Sequence, residues 1–382
     1  MVESVFKHVR FAGIKTVIPK DFINIDDEIK YFGNNPKKLA RAKKMIGFGK
    51  RYLTNENTTA ADLCFEAATL LITEMNVNKE EIDGLIFLSQ CRNYYSPASA
   101  NILQGDLELS QNCAAFDISQ GCSGYVYALW LASSMIASGA CKKIILLSGD
   151  TMSKHSYNDN RLVAPIFGDS GSATFLEYTD EENPSYFVLG SDGTGWDKIV
   201  IPAGGEKIPV DDEITKTDII DEAGNRWNLR HLIMQGVDVF NFTIDKAPDN
   251  INRCITLSGL AKDDISMFAL HQANKQIVDA VANKAEIPLD KTPSDTFSEY
   301  GNTTCNSVAT VLTHHLLKQT EGMVLTCGYG MGLSWASGII NMKDVYNGGF
   351  SYFSGTDKLL TKQQLKDYWK NQFVHKGEKE ND

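Results

Sequence analysis

Long apolar segments are missing from this chain. No apolar run reaches the roughly 20 residues that a helix needs to cross a bilayer, although 43% of the 382 residues are hydrophobic. The N-terminal stretch MVESVFKHVRFAGIKTVIP has no apolar core of the kind found in signal peptides. We therefore expect a protein with no membrane contact and no secretory signal, located in the cytoplasm.

Paired cysteine motifs are also missing. The eight cysteines lie scattered through apolar segments, and no two of them form a C-x-x-C pair. Structural zinc sites depend on such spacing, so we predict no bound metal. Reduced thiols in a cytosolic protein fit this distribution best.

Positive charge is in deficit. The net charge of −11 argues against nucleic acid as the main partner. One segment departs from this balance: KKLARAKKMIGFGKR, residues 37–51, holds seven basic residues and no acidic one. It is either a solvated helix face or a site for a phosphate-bearing or acidic partner.

Apolar runs and helical patterns alternate in the first half of the chain. The runs at 82–90, 113–119 and 142–150 predict buried strands, and the pattern from about Ser123 to Ser138 predicts a helix. This is a β-α-β unit with parallel strands and a right-handed crossover. Residues 170–179 predict a further strand.

The second half repeats this logic. It predicts a strand at 265–270, helices at 272–285 and 305–319, and a strand, Gly-rich turn and strand over 322–342. Each half therefore offers a strand that runs into a helix through a chemically active residue, which indicates a duplicated α/β architecture.

Two other segments carry weaker signals. The region around 195–228, rich in Gly, Pro and Asp, predicts a long loop that covers another part of the molecule. Thr361 and Gln364 have the spacing of a capping box, which predicts the start of a C-terminal helix.

The stretch DISQGCSGYVYALWLA places Cys122 where a strand ends and a helix begins. A helix N-terminus favours the thiolate, and Gly121 and Gly124 allow the sharp turn that a nucleophile elbow requires. We predict that Cys122 is a nucleophile. The alternative is a buried packing cysteine, which is our interpretation of the other seven.

Three further features accompany this cysteine. His271 falls at the C-terminal end of the strand 265–270, where α/β proteins place their ligands. Asn302, in SEYGNTTCNS, by itself fits a turn or N-cap residue. The GYGMG run at 328–332 is compatible with an oxyanion hole and with an ordinary tight turn.

Taken together and in order, DISQGCSGYVYAL, HQANKQI, EYGNTT and GMGLSW resemble β-ketoacyl-acyl-carrier-protein synthase III, a branch of the thiolase superfamily. The resemblance implies an α/β, thiolase-like fold with two similar βαβ-based halves in a five-layered αβαβα arrangement, usually as a homodimer. It implies an N-terminal half with the nucleophile (1–182), a C-terminal half with His and Asn (183–342) and a C-terminal extension (343–382).

The resemblance also implies a chemistry. Cys122 accepts an acyl group from a thioester, with the backbone N–H groups of Cys122 and Met331 as the oxyanion hole. His271 and Asn302 hold the enolate that forms when a malonyl thioester loses CO2, and this enolate attacks the acyl group to give a β-ketoacyl thioester. No metal or redox cofactor is implied.

The implied substrates are CoA or phosphopantetheine thioesters. Arg161 matches a position that contacts the CoA nucleotide; the positions that line the pantetheine tunnel are matched by Gly236, Phe240 and Asn274. Where the family clamps adenine with tryptophan and arginine, this chain has Arg41 and Met45, so the basic segment 37–51 also suits an acidic acyl carrier protein.

Two departures from the family pattern indicate a specialised member. Met331 stands where the housekeeping enzymes have the second of three glycines, and the chain continues past the usual end. We also expect Tyr94 and Tyr95 to shape the acyl pocket, in this chain or across a dimer interface.

Two other functions remain open at this stage. An acyltransferase would pass the acyl group from Cys122 to a hydroxyl or amine without decarboxylation, and so would have no enolate for His271 and Asn302 to stabilise. A catalytically silent partner subunit would have no use for Cys122.

Overall fold

The computed structural model describes residues 1–211, 213–222, 224–316, 322–355 and 361–374. Its strands, in chain order, are β1 (Val2–Phe6), β2 (Val9–Ile18), β3 (Phe22–Asn24), β4 (Lys50–Tyr52), β5 (Gly84–Leu88), β6 (Ala114–Ile118), β7 (Lys143–Asp150), β8 (Ser170–Tyr178), β9 (Ser185–Ser191), β10 (Ile199–Val200), β11 (Ile219–Ile220), β12 (Arg226–Trp227), β13 (Ile233–Met234), β14 (Ile265–Leu270), β15 (Met323–Gly330), β16 (Ser334–Asn341) and β17 (Tyr346–Tyr352). Its α-helices are α1 (Pro36–Ile46), α2 (Ala60–Glu74), α3 (Ser99–Asp106), α4 (Gly124–Ala137), α5 (Gly236–Ser258), α6 (Lys275–Ala285), α7 (Thr296–Tyr300), α8 (Ser307–His315) and α9 (Lys362–Val374).

Two large sheets organise the chain. The first has the strand order β17-β2-β8-β7-β5-β6, and the second has the order β1-β9-β16-β15-β14. Strands β6 and β7 both pair in parallel with β5, as the predicted β-α-β unit requires.

Alternation along the strands builds five layers. On β5, Ile86 and Leu88 face a core shared by both sheets and by helices α4 and α8, whereas Leu85 and Phe87 face α2 and α3 on the opposite side. The second sheet likewise packs its outer face against α5 and α6. Helix α4 is apolar on all sides because it lies between two sheets.

The two halves share one connectivity. Elements β2, α2, β5, α4, β7 and β8 correspond in order to β9, α5, β14, α8, β15 and β16. The sheet pairings agree: β5 and β7 are parallel like β14 and β15, and both β7–β8 and β15–β16 are antiparallel. The expectation of a duplicated, five-layered αβαβα fold is confirmed.

The strands at the two ends of this core cross between the halves. Strand β1 pairs with β9 in the second sheet, and β17 pairs in parallel with β2 at the edge of the first. Residues 346–352 of the predicted extension therefore complete a central sheet. The predicted boundaries at 182 and 342 stay predictions.

Most predicted elements lie within a few residues of the observed ones, with two shifts. Helix α6 starts at Lys275 instead of residue 272, because Asn274 is extended and its side chain caps the helix by accepting from the Ile277 N–H at 3.0 Å. Helix α8 starts at Ser307, after a turn of 3-10 helix at 304–306. Predicted residues 317–319 lie outside the described ranges.

The remaining helices can also be compared with the predictions from the sequence. The predicted capping box is present, since Thr361 and Gln364 exchange backbone-to-side-chain hydrogen bonds before α9. The 23-residue helix α5 was not predicted; its sequence carries Pro248 and many Asp and Asn residues, which weaken the helical pattern. Among the described residues, no helix combines the length and the apolar character that crossing a membrane requires.

Candidate active site

A single cavity brings the predicted residues of the two halves together. It has a volume of about 210 Å³, and Cys122, His271 and Asn302 all line it. Four of the other predicted site residues line it as well: Gly236, Phe240, Asn274 and Met331. Its walls are mainly apolar. Ile199 is the wall residue that comes from the predicted loop region 195–228, and Leu232 and Met234, which follow that region, line the cavity as well.

Cys122 lies in the turn between β6 and α4, and β15 passes directly beside it. A Cβ atom placed on Gly328 would lie 2.6 Å from the Cys122 carbonyl oxygen. The following turn is held by Ser334, whose hydroxyl contacts the Ser123 hydroxyl and donates to the Met331 carbonyl, each at 2.7 Å. The Met331 N–H donates to the Cys122 sulfur.

Burial governs the ionisation of Cys122. It raises the pKa of the thiol to about 12, the Met331 N–H lowers it, and the charge of Asp150 raises it further. From the helix N-terminus the sequence had led us to expect a stabilised thiolate. In the folded chain burial outweighs that influence, so Cys122 rests as a neutral thiol.

His271 follows β14 and is fixed through its backbone. Its N–H donates to the Cys327 carbonyl at 2.8 Å, and its carbonyl accepts from the Tyr329 hydroxyl at 2.9 Å. The imidazole meets the Tyr329 ring edge-on, with ring centroids 5.5 Å apart. Burial lowers the pKa of His271 to about 3, so the ring is neutral and offers one N–H donor.

Asn302 is oriented by its own loop. Its backbone N–H donates to the Ile166 carbonyl at 2.9 Å, and its side-chain oxygen accepts from the Thr304 N–H at 2.9 Å. With the oxygen occupied, the amide NH₂ is the group left to donate into the cavity. The sequence interpretation of Asn302 as a plain turn residue is therefore insufficient.

The predicted substrate-binding residues divide into two groups. Gly236 and Phe240 lie in the first turns of α5, and Asn274 caps α6, so these helix starts form one side of the cavity. Arg161 is exposed in the turn at 161–166 and does not line the cavity. Tyr94 and Tyr95 do not line it either, and the Tyr95 hydroxyl donates to Glu206 at 2.5 Å. That Tyr94 and Tyr95 shape the acyl pocket across a dimer interface stays a prediction.

The basic segment 37–51 is only partly an open surface. Arg51 is buried and paired with Glu28 at 2.7 Å, Lys43 pairs with Asp26 at 2.7 Å, and Lys50 pairs with Glu299 at 3.1 Å. The exposed remainder lies on α1. We call it the basic helix face, and it consists of Lys37, Lys38, Arg41 and Lys44.

Sequence reasoning missed Gln90, Asp150 and Thr304. Gln90 and Thr304 line the cavity, and Asp150 is fully buried behind them. Gln90 and Asp150 were within reach of the rule that found His271, because both lie at the C-terminal ends of parallel strands. Thr304 gives no such signal, since it takes its position only from the folded loop.

Gly330 is required by its closeness to the nucleophile. Its φ is +155°, and a Cβ atom there would lie 2.9 Å from the Cys122 sulfur. We expect Gly330→Ala to displace the sulfur or the Met331 N–H and to slow acylation of Cys122 by about 100-fold, measured by mass spectrometry of the acyl-enzyme. The control is Gly105→Ala on α3, where the added atom meets nothing within 4 Å. Acylation of Gly330→Ala at the wild-type rate would show that the approach is looser than described.

A fold of duplicated halves, in which one half supplies a cysteine and the other a histidine and an asparagine to one buried cavity, defines a class: the thiolase-fold acyltransferases. Comparison with known proteins narrows this class. The family described as 3-oxoacyl-[acyl-carrier-protein] synthase III matches at residues 116–193, and its C-terminal domain matches at 255–342.

Similar proteins and solved structures support the same family. A Campylobacter jejuni protein, provisionally named 3-oxoacyl-[acyl-carrier-protein] synthase 3, is 37% identical over 89% of this chain and 96% of its own length. The β-ketoacyl-[acyl-carrier-protein] synthase III of Acholeplasma laidlawii is 30% identical over 87% of this chain and 98% of its own. The crystal structure of a 3-oxoacyl-(acyl-carrier protein) synthase from Burkholderia xenovorans has a TM-score of 0.84 at 34% identity, covering 92% of this chain and 99% of that one. The chain belongs to the 3-oxoacyl-[acyl-carrier-protein] synthase III family, and it is a condensing acyltransferase.

Proposed function

We propose that this chain extends an acyl primer thioester with a malonyl thioester, using Cys122, His271 and Asn302. The reaction is a decarboxylative Claisen condensation at the start of fatty-acid or polyketide synthesis. The observation that carries the assignment of residues is the shared cavity, in which the nucleophile of one half meets two hydrogen-bond donors of the other.

The first half-reaction is acylation of Cys122. The sulfur attacks the thioester carbonyl, and the developing oxyanion accepts hydrogen bonds from the N–H groups of Cys122 and Met331. The carbon–sulfur bond to the donor breaks, and the thiol proton ends on the departing donor thiol. Because Cys122 begins as a thiol, this step changes no net charge.

The second half-reaction forms the new carbon–carbon bond. The malonyl thioester loses CO2, and the electron pair becomes an enolate whose oxygen accepts hydrogen bonds from the His271 N–H and the Asn302 NH₂. The enolate carbon attacks the acyl group, Cys122 leaves as a thiolate and takes up a proton, and a β-ketoacyl thioester remains. Loss of CO2 drives the step, so the reaction needs no metal or redox cofactor.

The acyl carrier protein is the partner that the basic helix face favours. Helix α1 packs against α6, and the first residues of α6 line the cavity. An acidic carrier protein docked on Lys37, Lys38, Arg41 and Lys44 would bring its phosphopantetheine arm to this entrance. The other thioester substrate is an acyl-CoA, and Arg161 remains the candidate residue for binding the CoA nucleotide.

The chain works as a homodimer in the cytoplasm. The dimer rests on the family resemblance, and the cytoplasmic location is supported by the eight free cysteines. Sedimentation or light scattering of the purified chain tests the dimer, since a mass of one chain at micromolar concentration would contradict it.

The pH dependence of Cys122 alkylation follows from the pKa values of Cys122 and His271. The pKa of Cys122 is raised to about 12, so its thiolate fraction grows about tenfold per pH unit below that value. The pKa of His271 is lowered to about 3, so its charge does not change between about pH 6 and pH 9. We expect the logarithm of the rate of Cys122 alkylation by iodoacetamide to rise with a slope near one across this range. A plateau with an apparent pKa near 7 would mean that the site stabilises the thiolate.

A further inference from the structure

A buried carboxylate lies behind the proposed catalytic residues and touches both halves of the molecule. Asp150 ends β7 and is fully buried. Its Oδ1 accepts from the Ser89 hydroxyl at 3.0 Å and from the Gln90 N–H at 2.8 Å. Its Oδ2 accepts from the Thr304 hydroxyl and lies 3.5 Å from the Cys305 nitrogen. Four donors thus converge on two oxygens, which is the full capacity of an ionised carboxylate.

Thr304 connects this carboxylate to Asn302. Its backbone N–H donates to the Asn302 side-chain oxygen at 2.9 Å, while its hydroxyl is anchored on Asp150. The same hydroxyl lies 2.8 Å from the Thr303 carbonyl, but its closer contact is with the carboxylate. Thr304 has a φ of +53°, an uncommon conformation for a β-branched residue, so the loop is held in a shape that it would not adopt by itself.

We propose that Asp150, acting through Thr304, is a positioning residue that holds the Asn302 amide in place for decarboxylation of the malonyl thioester. The inference rests on the proposed function of Asn302. The chain of contacts runs from the carboxylate in the first half to the donor in the second, so it fixes the orientation of an amide whose NH₂ must point at the enolate oxygen. A misplacement of about 1 Å in such a donor costs up to about 100-fold in rate.

The same carboxylate acts on the other half-reaction in the opposite sense. Its charge raises the pKa of Cys122, so its removal eases formation of the thiolate. Removal of the carboxylate should therefore slow decarboxylation and leave acylation of Cys122 unchanged or faster. General damage to the fold would slow both.

The test uses Thr304→Val, which keeps the β-branched shape and removes the hydroxyl, with Thr304→Ser as the matched control that keeps it. Two rates are measured on each full-length variant: CO2 release from malonyl carrier protein without a primer, and acylation of Cys122 by an acyl-CoA. We expect Thr304→Val to release CO2 about 10- to 100-fold more slowly, with acylation within about threefold of wild type. Thr304→Ser should match wild type in both.

Asp150→Asn provides a second variant with the same readouts. Its amide keeps the size of the side chain but turns an NH₂ toward donors, so decarboxylation should fall while acylation does not. Normal CO2 release by both Thr304→Val and Asp150→Asn, alongside a slow Asn302→Ala, would overturn the positioning role and leave the proposed function standing. Normal CO2 release by Asn302→Ala would instead show that Asn302 is not an enolate donor. That result would contradict both the proposed function of Asn302 and the positioning role of Asp150.

Discussion

Replacing Cys122 with alanine is expected to lower the rate of condensation by about 10⁴- to 10⁶-fold. In the proposed mechanism the sulfur carries the acyl group between the two half-reactions, and Cys122 is the only cysteine among the described residues that line the cavity. The measurement is formation of β-ketoacyl product from an acyl thioester and malonyl carrier protein. Intact-mass analysis of the same samples should show no acyl adduct on the variant.

The matched control is Cys113→Ala. Cys113 is half-buried, and it lies outside the cavity, so its removal should leave condensation unchanged. Cys122→Ala should also keep its ability to release CO2 from malonyl carrier protein, because His271 and Asn302 remain. Condensation by Cys122→Ala within tenfold of the wild-type rate would show that the acyl group never resides on this sulfur.

Removing either enolate donor, by His271→Ala or Asn302→Ala, should slow decarboxylation of the malonyl thioester by about 10²- to 10³-fold. Both donors are neutral, since burial lowers the pKa of His271 to about 3 and the Asn302 side chain is an amide. The Asn302 oxygen accepts from the Thr304 N–H, so its NH₂ is the group that donates. In the proposed mechanism each therefore stabilises the enolate by a hydrogen bond and not by a full charge. Release of CO2 in the absence of a primer measures this step by itself.

The control for both variants is acylation of Cys122, which uses a different set of donors. It should proceed within about tenfold of wild type, since the oxyanion hole consists of backbone N–H groups. His314→Ala, a substitution on α8 outside the cavity, should change neither rate. Equal losses of acylation and decarboxylation in His271→Ala would mean that this histidine also serves the nucleophile, and would contradict the division of roles.

The central sheets and helices were predictable because they are strongly apolar segments whose lengths match those of strands and helices. Strands such as β5 (Gly84–Leu88) are continuous apolar runs, and α4 is apolar on all sides, as burial between two sheets demands. Helix α5 escaped prediction because its outer face is polar and because Pro248, which disfavours a helix, lies inside its sequence. The pairing of β17 with β2 was equally invisible, since a strand at the end of the chain carries no sign of which sheet it joins.

The site residues also divide into those that the sequence could predict and those that it could not. Cys122 and His271 stand at strand ends, where a general rule about α/β folds finds them. Asn302 needed the family resemblance, because a turn asparagine has a common structural explanation. For Cys122 the helix start is visible in the sequence, but the burial that raises the pKa of the thiol exists only in the folded chain. Asp150 and Thr304 are brought into contact although they lie more than 150 positions apart, which no local pattern records.

The most direct test of the condensing function is intact-protein mass spectrometry in two steps. The chain is mixed with a panel of acyl-CoAs and acyl carrier proteins, and malonyl carrier protein is then added. The proposed function predicts an acyl adduct on Cys122 that disappears with release of CO2 and appearance of a β-ketoacyl product, and the adduct that forms identifies the primer. An adduct that forms but persists after malonyl carrier protein is added would contradict condensation, and would favour transfer of the acyl group to a hydroxyl or amine.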